Sequence, residues 1–301
     1  MTSSAIFLIL FSTLLHAAWN MYSRKFRATS SSFAIGGFAV STLLLPFYLY
    51  FIALMPDIRY ENILLIVLSS LFQACYFFGV VNAYKYGNLS LSYPLLRSIP
   101  ILMVLIYVWV FGNIKTVSNI AIISSLLIVL GCILLPMRHL KDLKLENYAN
   151  KMFVFVLIAA LGTAGYSIVD SLGVKLLAAN SPHVHITMVA FNYIYLQLLF
   201  TSFFLTVISM SKKSYRTEFV TVIKQQKLLC TGISVMTMLS YAPILVAMTL
   251  VTNVSYVVAF RQASIPIAFL LGVFILKEMN YSIRWLAVLL IVIGLVMNAI
   301  Y

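Results

Sequence analysis

Residues Ser90–Val110 read SLSYPLLRSIPILMVLIYVWV, and within them stands a single charge, Arg97. As a helix rising ~1.5 Å per residue the run spans the ~30 Å hydrocarbon layer of a bilayer. It lacks the polar–apolar alternation of a barrel strand, and a segment in lipid must satisfy its backbone internally, so it is read as a membrane-spanning helix. Working outward, the same pattern recurs along the chain and predicts ten spans. These are Ser4–Tyr22, Ser32–Leu54, Ile63–Ala83, Ser90–Val110, Val117–Pro136, Met152–Leu172, Ile186–Met210, Leu228–Leu250, Val254–Leu276 and Ile283–Tyr301. Composition agrees: the 301 residues are 63% hydrophobic and 9% charged, against ~45–50% and ~25% in soluble domains. The expected fold is an all-α integral membrane bundle of ten transmembrane helices. Its longest connections, Met137–Lys151 and Ser211–Lys227, are too short for a soluble domain, so function must reside within the membrane.

Charge distribution carries topology. Counting connections from the N-terminus, the odd ones hold fifteen basic residues, grouped around Arg24–Arg27, Lys85, Arg138–Lys151, Lys212–Lys227 and Lys277–Arg284. The even ones hold Arg59, Lys115 and Lys175. Basic residues near span ends stay cytoplasmic, which predicts both termini outside. The net charge of +13 is thus a topological signal and a contact for lipid headgroups, not one for nucleic acid. The start "MTSSA" lacks a basic n-region and Arg24, Lys25 and Arg27 follow the apolar run, so the first span is expected to stay as an anchor.

Ten spans divide at the basic linker 137–151 into five and five, residues 1–136 and 152–301. Because five is odd, two similar halves would lie with opposite orientation, as in many secondary transporters. Arg97 lies seven residues into the fourth span and Arg261, in "SYVVAFRQASIPIAF", seven into the ninth. "HAAWNMYSRK" (His16–Lys25) and "YSIVDSLGVK" (Tyr166–Lys175) end the first and sixth spans, setting Asn20 against Asp170.

A charge at mid-span costs ~2.5–3.5 kcal/mol on insertion scales, so such residues face a cavity, a partner or a proton path. Of seven acidic residues, Asp170 stands within an apolar segment, and it joins Arg97 and Arg261 as a leading candidate. Under the predicted topology Arg261 and Asp170 fall in the outer half and Arg97 and Asn20 in the inner half. Two readings stay open. Asp170 and Arg261 form a buried ion pair that fixes packing, or the arginines contact an anionic solute while Asp170 exchanges a proton. His16 lies one turn before Asn20 and Tyr166 one turn before Asp170. Trp19, Tyr93 and Tyr166 are candidates for a pocket wall, among tyrosines that include Tyr193 and Tyr241; rings of this kind also hold quaternary ammonium groups. Pro94, Pro100 and Pro266 flank the two arginines and leave the helices liable to bend.

Enzyme signatures are missing: there is no HExxH, nucleophile elbow or phosphate loop. Cys75, Cys132 and Cys230 lie in apolar spans without ligand spacing and read as packing residues. His183 and His185 in "SPHVH" sit in a connection and read as surface residues. No cofactor or metal is expected.

With "HAAWN" in the first span, "YPLLRSIP" in the fourth, "YSIVDSLGVK" in the sixth and "RQAS...LLGVFILKE" before the tenth, the chain resembles the EamA family of the drug/metabolite transporter superfamily. The resemblance extends over essentially the whole chain. It implies a ten-helix carrier with an inverted repeat, alternating access and a central cavity lined by the first, third, fourth, sixth, eighth and ninth helices. His16, Trp19, Asn20, Tyr93, Arg97, Asp170, Arg261 and Glu278 match its motif positions. The chain departs from the pattern at "WVFGNIK", which lacks the acidic residue of "ILKE", and in the outside termini that its charges favour.

Taken together, the expectation is a multi-pass secondary carrier of a cell inner membrane, working as monomer or homodimer. It would move a small polar or zwitterionic solute with a carboxylate, phosphate or phosphonate group, such as an amino acid, and protons are candidate coupling ions through Asp170. The cavity's positive balance favours an anionic solute. A choline-type quaternary amine is the runner-up, and a lipid flippase or a non-transporting accessory subunit is the alternative from another class.

Overall fold

The computed structural model describes residues 2–55, 58–86, 89–111, 118–137, 151–274 and 281–300. Glu278, Lys115 and nearly all of the basic linker 137–151 lie outside them. The described residues form helices and no strands. In chain order these are α1 (Ser3–Lys25), α2 (Ser30–Ile52), α3 (Tyr60–Tyr86), α4 (Leu89–Phe111), α5 (Asn119–Leu134), α6 (Lys151–Asn180) and α7 (Ile186–Met210). There follow α8 (Lys213–Gln225), α9 (Lys227–Thr249), α10 (Val254–Phe260), a 3₁₀ turn (Arg261–Ala263), α11 (Ser264–Phe274) and α12 (Ser282–Ile300).

Eight of these, α1, α2, α3, α4, α6, α7, α9 and α12, are long and apolar enough to cross a membrane, and α5 is a shorter apolar helix. The chain is membrane-embedded. Its distribution of polarity fits that solvent: Phe7, Phe47, Trp109, Phe111 and Leu289 are exposed, while Ser69, Gln73, Asp170, Asn192 and Gln197 are buried. Polar groups that lipid would leave unpaired turn instead to partners inside the bundle.

Besides α6 running on from the expected end at Leu172 to Asn180, which puts Asp170 in the helix interior, the structure differs from the expected spans in two places. The predicted span Val254–Leu276 is not one helix, because it breaks into α10, the 3₁₀ turn and α11. Pro266 has no N–H for the Gln262 carbonyl one turn back and its ring crowds that carbonyl, while the Ser264 hydroxyl donates to the Arg261 carbonyl at 3.2 Å. The fourth span behaves differently: α4 stays helical through both Pro94 and Pro100. The second difference is α8, which occupies the connection Ser211–Lys227. Val222 turns inward from it, and the Arg216 Nε donates to the Met210 carbonyl at 2.8 Å, closing the C-terminus of α7.

Helix contacts follow a simple scheme. α3 lies along α6, α1 along α9, α5 along α12, and α2 against both α7 and α9; α3 also meets α7, and α4 packs on α6 and α5. Glycine makes the α5–α12 approach possible. A Cβ on Gly131 would come within 2.6 Å of the Ala287 carbonyl oxygen and of Ile291, and a Cβ on Gly294 within 2.6 Å of the Ser124 carbonyl and 2.7 Å of Ile128. Gly131→Leu and Gly294→Leu should each lower stability by about 1–3 kcal/mol through overpacking. Thermal denaturation of the purified variants checks this, and wild-type stability in either would contradict the close approach.

Candidate functional site

The predicted site residues come from four elements. α1 contributes His16 and Asn20, one turn apart, with the Asn20 amide donating to the His16 carbonyl at 2.9 Å. α4 contributes Tyr93 and Arg97, again one turn apart, so that the guanidinium lies 5.4 Å from the ring centroid. α6 contributes Tyr166, and the 3₁₀ turn contributes Arg261. These six residues line one small, deep pocket of about 20 Å³, together with Tyr76, Tyr84, Thr163 and Gln262. The two arginines, one on α4 and one in the break of the ninth span, thus face the same space.

Among the described residues, neither arginine meets a carboxylate there. Arg261 is buried, donates to the Tyr166 hydroxyl at 3.4 Å, and lies 5.4 Å from the Tyr241 ring centroid and 5.9 Å from that of Tyr166. The Arg97 Nη2 is buried without a hydrogen-bond partner. Trp19 does not line the pocket but orients it: its indole N–H donates to His16 Nδ1 at 3.2 Å. With Nδ1 accepting, the neutral imidazole carries its proton on Nε2, which is buried and unpartnered, as is Gln262 Oε1. The pocket thus collects two guanidinium groups, one N–H and one amide oxygen whose bonding capacity is unmet, and no acidic side chain among its described lining residues.

The deep pocket shares Asn20, Val80 and Tyr84 with a larger cavity of about 600 Å³. Trp19, Phe33, Val81 and Ile208 supply apolar wall, Asn82, Ser31 and Ser209 supply polar wall, and Arg27, Lys85, Tyr215 and Glu218 also line it. Glu218 on α8 accepts from the Ser31 hydroxyl at 3.2 Å. The opposite ends of the helices are tied together. Asn180 donates to Asn62 at 2.9 Å, Asn192 to the Met55 sulfur at 3.0 Å and Lys175 to the Val251 carbonyl at 2.8 Å, with Met55, Asn62 and Val251 buried.

Asp170 is placed elsewhere than expected. It is fully buried but does not line the pocket and is not ion-paired with Arg261. Its carboxylate accepts from the Ser69 hydroxyl, from Tyr193 at 2.9 Å, from the Gln197 amide at 3.0 Å and from Tyr241 at 2.5 Å. These donors belong to α3, α7 and α9, so Asp170 ties four helices. Tyr241 stands between the carboxylate and Arg261, its hydroxyl on the former and its ring against the latter.

Sequence reasoning passed over Tyr76, Gln262, Ser69 and Gln197. The signal for the glutamines was present, since an amide inside an apolar span must also find a partner. Ser69 and Tyr76 carried none, being ordinary residues of membrane helices.

No protein-family profile matches the chain, and no curated protein matches it. Twenty-eight chains of solved structures do match. One, described as "Crystal structure of protein", superposes with a TM-score of 0.66 over 100% of this chain and 99% of its own, at 17% identity. At that identity the likeness is one of fold, and it extends end to end.

Proposed function

We propose that the protein is a secondary transporter of a small anionic solute, working by alternating access between two inverted five-helix halves, 1–136 and 152–301. The observation that carries this reading is the pair of guanidinium groups, Arg97 and Arg261, around one pocket with no acidic side chain among its described lining residues. Burying unpaired charge costs several kcal/mol, a cost that a bound anion offsets.

Two features support the inverted halves. Exchanging the first five spans for the last five maps the α3–α6 contact onto α9–α1 and the α3–α7 contact onto α9–α2, and maps α2–α7 and α5–α12 onto themselves. At α5–α12 the match reaches single residues: Ser124, Ile128 and Gly131 meet Ala287, Ile291 and Gly294, each related by one offset of 163. A self-complementary contact of this kind is what a twofold axis produces, and Arg97 and Arg261 are related by nearly the same offset, 164. The larger cavity is lined by Arg27, Lys85 and Glu218, residues of odd connections or helix ends beside them. By the basic-residue rule that end is cytoplasmic, so the conformation is open inward and tied shut outward.

A quaternary amine is the weaker candidate, because the ring faces of Tyr93, Tyr166 and Tyr241 are already met by the protein's own arginines. Counterflow in proteoliposomes tests the proposal. A preloaded carboxylate- or phosphonate-bearing solute should drive uptake of its labelled counterpart well above protein-free vesicles. Exchange of choline in place of any anion, or no exchange at all, would overturn the assignment.

A further inference from the structure

Resting on the reading of the pocket as an anion site, we infer that the preferred head group is a tetrahedral dianion, a phosphonate or phosphate monoester, ahead of a carboxylate. The argument is one of charge and of donor count. Two guanidiniums enter the pocket from α4 and from the 3₁₀ turn, and the described lining residues hold no carboxylate. A monocarboxylate would leave one cation buried and uncompensated, whereas a dianion offsets both.

Donor directions agree with this. Arg97 Nη2 and His16 Nε2 are buried without partners, Arg261 makes one long bond of 3.4 Å to Tyr166, and the three residues belong to α4, α1 and the 3₁₀ turn. Three oxygens spread over a tetrahedral face can each accept from a different element. A carboxylate presents two oxygens in one plane and leaves a donor unmet. The Gln262 Oε1, buried and unpartnered on the same wall, can accept from an ammonium or hydroxyl of the solute. The pocket's volume of about 20 Å³ holds roughly one water, so side chains at its rim must move as the head group enters. The adjoining space of about 600 Å³ accommodates the rest of the molecule.

Calorimetric titration of the full chain in lipid nanodiscs tests this with methylphosphonate, methanesulfonate and acetate at about pH 9, since an alkylphosphonate gives up its second proton at higher pH than a phosphate monoester. Methylphosphonate should bind about tenfold or more tighter than acetate. Methanesulfonate, of the same shape but singly charged, should fall between them. Arg97→Gln and His16→Gln, each first shown to melt cooperatively, should narrow the gap between methylphosphonate and acetate. Acetate binding as tightly as methylphosphonate, with both weakened by Arg97→Gln, would overturn the dianion preference and leave the anion transporter standing. Binding of none of the three, together with absent anion counterflow, would overturn both.

Discussion

Arg97→Leu is expected to abolish anion exchange, lowering its rate by about 100-fold or more, while raising the thermal stability of the purified protein. Both halves of this result follow from the same atom. The Nη2 of Arg97 is buried without a partner, and its guanidinium faces the ring of Tyr93 and, among the described residues, no carboxylate. Replacing even a buried ion pair with apolar side chains of similar volume is often neutral or stabilising, by up to about 4 kcal/mol, and a guanidinium that faces no carboxylate among the described residues has less attraction to lose. With solute bound, the same group is worth a charge-assisted hydrogen bond to an anion, and truncating a buried charged partner costs about 2–5 kcal/mol of binding. Binding sites often trade stability for function in this way. Proteoliposome exchange and a melting curve on one preparation read both effects. Lost exchange with lowered stability would make Arg97 a structural residue and remove the main support for the anion site.

Asp170→Ala is expected to act in the opposite sense, costing about 3–5 kcal/mol of stability, because it strips the acceptor from a buried network. Ser69, Tyr193, Gln197 and Tyr241 all donate to this carboxylate, and the loss leaves their donors without partners across four helices. Asp170→Asn retains one acceptor oxygen but sets an amide N–H₂ against groups that donate, so its cost should be smaller, about 1–3 kcal/mol. Equilibrium unfolding of the two variants checks the ranking. The Asn variant also separates packing from coupling. Tyr241 joins Asp170 to Arg261, so a change of charge on Asp170 would be felt at the pocket's edge through this residue. If Asp170→Asn folds and exchanges solute with an unchanged pH profile, Asp170 is a tie between helices and protons are not coupled through it.

Arg97 and Arg261 were legible in the chain because a guanidinium among apolar residues has no cheap place in a bilayer, whatever the fold around it. Their meeting was not. Arg261 stands on the break at Arg261–Ala263, and α4 with two prolines stays continuous where the ninth span with Pro266 breaks, so proline content alone does not tell which helix yields. The same limit applies to Asp170, whose burial was readable from hydrophobicity but whose partners were not. Ser69 and Gln197 lie 101 and 27 positions away, and no periodicity joins them to it. α8 also escaped, since a polar connection of basic and apolar residues looks alike whether helical or extended until a bundle offers Val222 a place to pack.

By itself, then, the order of apolar and polar residues determined that the chain is a helical membrane protein, where most of its spans begin and end, and which charges are anomalous. Those properties depend on local transfer free energies, which each segment carries independently of its neighbours. The tertiary structure decided which anomalous charges share a pocket, which are tied to hydroxyls and amides instead, and where a span breaks. These are outcomes of competition among distant groups for a few buried partners, and only the packed bundle brings the competitors within reach of one another.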